Sequence, residues 1–135
     1  MVVPLQVMPD RPHLLKGAEA GEAAILQQPL PLPDGTAHIL RAVAEGKCDK
    51  GIVICTTGIG ISIAANKVKG IRCAHCADCL QAEMTRKHND ANMMAIGAGF
   101  TGKNMAERMV EVFLSTEFEG GRHERRVNKM MALEG

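Results

Sequence analysis

Hydrophobic and polar positions change their period several times between Pro33 and Gly135, and each change marks an element. Ile39, Leu40 and Val43 recur at helical spacing after the turn Pro33-Asp34-Gly35, predicting a helix from Asp34 or Thr36 to about Glu45. Gly51–Cys55 (GIVIC) is a short apolar run, β-branched at its centre and bounded by Gly and Thr, and reads as a buried strand. Thr56–Gly60 is a loop of small residues. Ile61–Lys67 returns to helical spacing, with Ile61, Ala64 and Ala65 on one side. Ile71–His75 predicts a second short strand. Asp78 then caps a helix through about Lys87, with Leu80 and Met84 inward, and Met93–Gly97 is a third strand. Asn104–Leu114 is amphipathic (Met105, Met109, Val110, Val112, Phe113), and Arg122–Leu133 is a final helix. Strands alternating with helices at this spacing predict an α/β protein, a parallel sheet with helices on both faces.

The first part of the chain breaks this rhythm. Met1–Leu32 holds five of the six prolines, at positions 4, 9, 12, 29 and 31, and no clean strand. Lys16–Gln27, with Ala18, Ala20, Ala23, Ala24 and Leu26, is the one stretch with helical character. The expected organisation is an atypical, irregular or partly ordered segment, 1–32, followed by a single domain, 33–135.

Composition narrows the class. At 135 residues and 46% apolar, the chain can bury a real core. Sixteen basic and 15 acidic residues nearly cancel, and three Phe are the only aromatics of the Phe, Tyr and Trp set. Neither a basic footprint nor a stacking platform for nucleic acid is expected. No apolar run reaches the roughly 20 residues of a membrane span, and Met1 is not followed by a signal-peptide core. Five cysteines in such a chain suggest free thiols in a reducing cytoplasm.

The chemistry concentrates after the first strong strand. A strand feeding a glycine-rich turn and then a helix aims backbone N–H groups at an anion. Cys55 stands where that strand ends, and a thiol beside a helix start is suited to act as nucleophile or base. Thr-Gly-Ile-Gly matches neither the dinucleotide fingerprint nor the P-loop, so an ordinary βα turn with Cys55 as a buried thiol remains open. Cys73-x-x-Cys76-x-x-Cys79, with His75 between, has the spacing of a metal site. It lacks a fourth ligand and crosses a strand-to-helix junction, so three packing thiols are expected and no metal. His88-Asn89-Asp90 lies where a helix hands over to a strand, and histidine suits proton transfer near neutrality. Arg122 and Arg126, four apart, share one helical face and can grip a phosphate. Together these groups favour a small phosphorylated metabolite as ligand.

Gly51–Lys67, Thr85–Asn92 (TRKHNDAN) and Leu114–Val127 (LSTEFEGGRHERRV) resemble, in order, motifs of the ribose-5-phosphate isomerase B family. That family also contains galactose-6-phosphate isomerase subunits. The resemblance runs from about Pro33 to the end. It implies a Rossmann-like three-layer α/β/α subunit with a parallel sheet. It further implies a cytoplasmic homodimer, or dimer of dimers, with sites shared between subunits and no cofactor. The implied activity interconverts an aldose and a ketose phosphate through an enediolate, with ribose 5-phosphate and ribulose 5-phosphate as the expected pair. By resemblance, Cys55 moves the proton between C1 and C2, and His88 opens the furanose ring. Thr56, Thr57, Gly58, Ile59 and Gly60 offer backbone N–H groups to the enediolate oxygens. Asn89 binds substrate, and Arg122 and Arg126 hold the phosphate.

Three positions depart from the family. Thr56 stands where a Gly usually follows the cysteine. Gly99 replaces an arginine after Gly97-Ala98. Met1–Leu32 lacks the opening strand with its Ser-Asp-His-Ala-Gly motif, so the first strand is expected to be atypical or missing. The alternative reading is a non-catalytic or degenerate subunit that binds sugar phosphate within an isomerase complex.

Overall fold

A computed structural model of the chain describes residues 23–27 and 34–135. Among the described residues, four strands form one parallel sheet: β1 (Ala23–Gln27), β2 (Lys50–Cys55), β3 (Cys73–His75) and β4 (Met93–Gly97), in the order β1-β2-β4-β3. β2 and β4 occupy the middle, in register from Gly51 opposite Met93 to Cys55 opposite Gly97. Their residues alternate between the two faces, as a strand's period of two requires. Ile52, Met94 and Ile96 join Met109, Val110 and Phe113 in one core. Val53, Cys55, Met93 and Ala95 join Ile39, Leu40, Val43 and Ile61 in the other.

Helices cover both faces. α1 (Asp34–Ala44) and α2 (Ile59–Ala65) supply the second core, α3 (Cys79–Asn89) and α4 (Lys103–Ser115) the first. α5 (Arg122–Met131) follows and ends in a short 3-10 turn, Ala132–Glu134. The layered architecture expected from strand–helix alternation is therefore present. Truncating the fully buried Phe113 to Ala would cost about 3–5 kcal/mol. None of the described helices is long and apolar enough to cross a membrane.

Three local expectations are corrected. The segment Met1–Leu32, expected to be irregular with some helical character over Lys16–Gln27, holds a strand where the structure describes it, with Ala23–Gln27 pairing with Lys50–Ile54. An alanine-rich run has good helix propensity, but propensity is a weak prior beside pairing to an open strand edge. This strand lies at the sheet's edge; the remainder of Met1–Leu32 lies outside the described residues. Leu80, expected inward, is 64% exposed, and Met84 is only half-buried. The buried stripe of α3 runs instead through Ala82, Thr85 and Arg86. Met105, expected on the inner face of α4, is largely exposed, while Met109, Val110 and Phe113 are buried as expected.

Candidate functional site

Cys55 closes β2 and is buried. The chain then turns sharply through Thr56-Thr57-Gly58, and the N–H of Gly58 donates to Cys55 Sγ at 3.2 Å. Gly58 has φ 77°, a left-handed conformation that favours glycine. The turn is seated on the end of β4 with no spare room: a Cβ on Gly97 would lie 2.4 Å from the Thr57 carbonyl oxygen. The Thr57 hydroxyl accepts from Ile59 N–H at 3.2 Å. The N–H groups of Gly60 and Ile61, the next residues of α2, have no acceptor within the helix. Sulfur and main-chain donors thus meet at the carboxyl end of the sheet, where α/β proteins bind their ligands.

The departures at Thr56 and Gly99 meet in space. Gly99 N–H donates to the Thr56 carbonyl oxygen at 2.8 Å. A Cβ on Gly99 would lie 3.0 Å from that oxygen and 3.3 Å from Thr56 Cγ2. The β-branched residue and the bare backbone at 99 accommodate each other.

His88 and Asn89 lie elsewhere. They close α3, which leads into the amino end of β4. Asp90 ends that helix in a left-handed conformation, φ 46°, and its backbone N–H donates to the Thr85 carbonyl. The buried Arg86 guanidinium secures the junction, donating to Asp90 Oδ1 at 2.9 Å, Ala91 O at 2.7 Å and Thr116 O at 3.2 Å. The turn Gly120-Gly121 then brings α5 alongside. His123, in its first turn, stacks on His88 with ring centroids 4.3 Å apart and planes 12° from parallel. Arg122 and Arg126 are exposed on α5 and have no ion-pair partner among the described residues.

The predicted site residues therefore fall into two groups. Cys55 and Thr56–Gly60 stand at one end of the sheet, His88, Asn89, Arg122 and Arg126 at the other. Strand β4 separates the ends by four residue steps, about 13 Å. A cleft of about 680 Å³ on the described surface is lined by Lys67, Lys69, Arg72, Asn89, Met130 and Leu133, among others. Of the predicted site residues only Asn89 reaches it.

Two residues at the second end were not singled out from sequence. Glu119 Oε2 lies 3.6 Å from Nε2 of His123, and His123 is itself buried. The signal was the helical spacing of His123 and Val127, the buried positions of α5. One donor atom each from His88, Glu119 and His123 lies within 4.8 Å of the others. Two rings stacked nearly parallel hold their in-plane lone pairs side by side, whereas ligands to one ion must converge. The cysteine triplet does not converge either. Cys73 packs on one face of the sheet, while Cys76 and Cys79 belong to the other. Burial pushes the Cys73 and Cys76 thiols up to about 12, with Cys76 adding to the effect on Cys73 and Asp78 to that on Cys76.

A parallel three-layer fold with a thiol over main-chain donors and a basic helix start defines a class, enzymes that handle small phosphorylated sugars. A family model described as Ribose/Galactose Isomerase matches residues 14–130, and the chain belongs to that family. It is 44% identical to the ribose-5-phosphate isomerase B of Escherichia coli (strain K12) over 76% of this chain and 68% of that one. It is 42% identical to the D-erythrulose-4-phosphate isomerase of Pectobacterium atrosepticum, over 73% of this chain and 64% of that one. The solved ribose-5-phosphate isomerase B of Clostridium thermocellum superposes with a TM-score of 0.73 at 51% identity, covering 76% of this chain and 69% of that one.

Proposed function

We propose that the chain interconverts ribose 5-phosphate and ribulose 5-phosphate. The observation that carries this reading is the seat of Cys55, its sulfur accepting the Gly58 N–H beside the first turn of α2. In the open-chain aldose, the Cys55 thiolate takes the proton on C2. The electrons move into the C1–O1 carbonyl and give an enediolate. Main-chain N–H groups of the Thr56–Gly60 turn stabilise its charged oxygen. Cys55 returns the proton to C1, and the C2 hydroxyl proton passes to O1, which leaves a ketone at C2 and a hydroxyl at C1. Before this, His88 moves a proton between the anomeric hydroxyl and the ring oxygen to open the furanose. Asn89 orients the sugar, and Arg122 and Arg126 grip the phosphate as a fork. These steps need acid–base groups and fixed dipoles alone.

The separation of the two groups supports a homodimer in which one copy supplies Cys55 and its turn and the other supplies His88, Asn89, Arg122 and Arg126. Exposed apolar side chains near the Cys55 end, Ile59 at 52% and Phe100 at 80%, supply a surface for such a partner. Five free cysteines support a reducing, cytoplasmic setting.

The test is to mix two inactive chains. Cys55→Ala and His88→Ala proteins are each expected to fail on ribose 5-phosphate. Unfolded and refolded together, they should regain about a quarter of wild-type activity, because each mixed dimer of a two-fold pair holds one intact site. Two single variants that fail while the mixture stays inactive would overturn the shared site. Full turnover by Cys55→Ala would overturn the assignment of the base.

A further inference from the structure

His123 takes no part in the chemistry above, yet it is held more firmly than the histidine it touches. It is buried at 5% exposure, against the half-buried His88. Its contacts form a chain of support. The Glu119 N–H donates to the Lys87 carbonyl oxygen at 3.2 Å, fixing Glu119 to the end of α3. The Glu119 carboxylate lies 3.6 Å from His123 Nε2, and the His123 ring covers a face of His88. His123 Nδ1 is buried and has no hydrogen-bond partner among the described residues. An unpaired buried nitrogen is unfavourable, and a residue needed only for packing would not carry one. The terminal torsion of a histidine is broad and roughly two-fold, so the ring of His88 has no preferred plane of its own. A stacked neighbour supplies one.

We propose that His123 is a positioning residue for His88, its buried ring, packed beside Glu119, fixing the plane from which His88 reaches a sugar's ring oxygen. This rests on the reading of His88 as the ring-opening group. Charge sharpens the device. His88 from α3, Glu119 from the preceding loop, and Arg122 and Arg126 on α5 act on His123. Burial, then His88, Arg122 and Arg126, hold the His123 imidazole below its ordinary range, against a smaller opposing effect of Glu119. At neutral pH the inner ring of the stack is thus uncharged. Acidification places a cation against His88 and disrupts the plane.

A substrate that needs no ring opening provides the test. In D-erythrose 4-phosphate the oxygen that would close a furanose carries the phosphate. The measured quantity is turnover of ribose 5-phosphate divided by turnover of D-erythrose 4-phosphate. His123→Ala should lower this ratio roughly ten-fold, a fraction of what an acid–base group contributes. KM for ribose 5-phosphate should stay within about two-fold. His123→Phe, which keeps a flat ring, should restore most of the ratio and displace the acid limb of the pH profile. Equal loss on both substrates, or an unchanged ratio, would overturn the proposal. His88→Ala distinguishes the two levels: if it leaves the ratio intact, the ring-opening assignment has failed. The stack is read without turnover by the ring-proton resonances of His88, which lie upfield over a stacked neighbour. They should move downfield in His123→Ala, and resonances that do not move would also overturn the proposal.

Discussion

The two ends of the sheet are built by different means. At the Cys55 end the main chain does the positioning: Gly58 donates to sulfur, Gly97 admits the Thr57 carbonyl, and Gly99 holds Thr56. At the His88 end side chains do it. Arg86 locks the end of α3, His123 stacks on His88, and the Glu119 carboxylate lies 3.6 Å from the His123 ring. A seat made of backbone tolerates little added volume, and its main-chain hydrogen bonds do not titrate. A site made of ionisable rings and guanidinium groups tolerates volume better and responds to pH. The comparison therefore assigns steric sensitivity to one end and proton sensitivity to the other.

The largest effect that can test it is removal of the proposed base. Cys55→Ala should lower isomerase turnover by on the order of 10³-fold while circular dichroism stays unchanged. Retained turnover would remove the chemistry from that end altogether. Next is Gly97→Ala, whose methyl group would meet the Thr57 carbonyl oxygen at 2.4 Å. Stability measured in urea should fall by about 1–3 kcal/mol, the usual range for overpacking, with activity falling too. A neutral outcome would mean that the turn is not seated on β4 as described.

At the other end, Arg122→Ala should raise KM for the sugar phosphate more than it lowers kcat. The expected loss of binding is about 1.5–3 kcal/mol, the range for a hydrogen bond to a charged group. A change confined to kcat would place Arg122 away from the phosphate. The smallest effect is the pH dependence of stability. His123 is held below the ordinary histidine value of 6.5 in the folded chain. Above that pH the group is neutral folded or unfolded and contributes nothing. Below it the unfolded chain takes the proton first, so stability declines until pH passes the folded value. The thermal midpoint should therefore fall between pH 7.5 and 5.5, and fall less in His123→Phe. Equal falls in both proteins would assign the loss to other groups.

Much of this was legible in the sequence because β2 and β4 are buried on both faces. GIVIC and MMAIG are apolar throughout, the first bounded by Gly51 and Thr56 and the second by Asn92 and Gly97. The Cys55 turn was legible for the same reason, since a strand, a glycine-rich turn and a helix are consecutive in the chain. β1 was not legible. Its alanines carry helical propensity, and only the edge it joins makes Ala23–Gln27 extended. Leu80 misled because an apolar residue in a first helical turn need not face the sheet, whereas Arg86 is buried for its three carbonyl and carboxylate partners. His123 was passed over because its meaning depends on which helix lies beside α5. The separation of Cys55 from His88 is likewise a property of the sheet's direction, visible only once the strands are ordered.

The division of the cysteine triplet between the two faces has a practical side. With Cys73 and Cys76 pushed up to about 12, their thiols stay protonated and are poor targets for alkylating reagents at neutral pH. Of the other three thiols, Cys48 and Cys79 are partly exposed and Cys55 is buried. On the proposed role of Cys55, bound sugar phosphate would cover that sulfur, so any labelling of Cys55 should fall with occupancy.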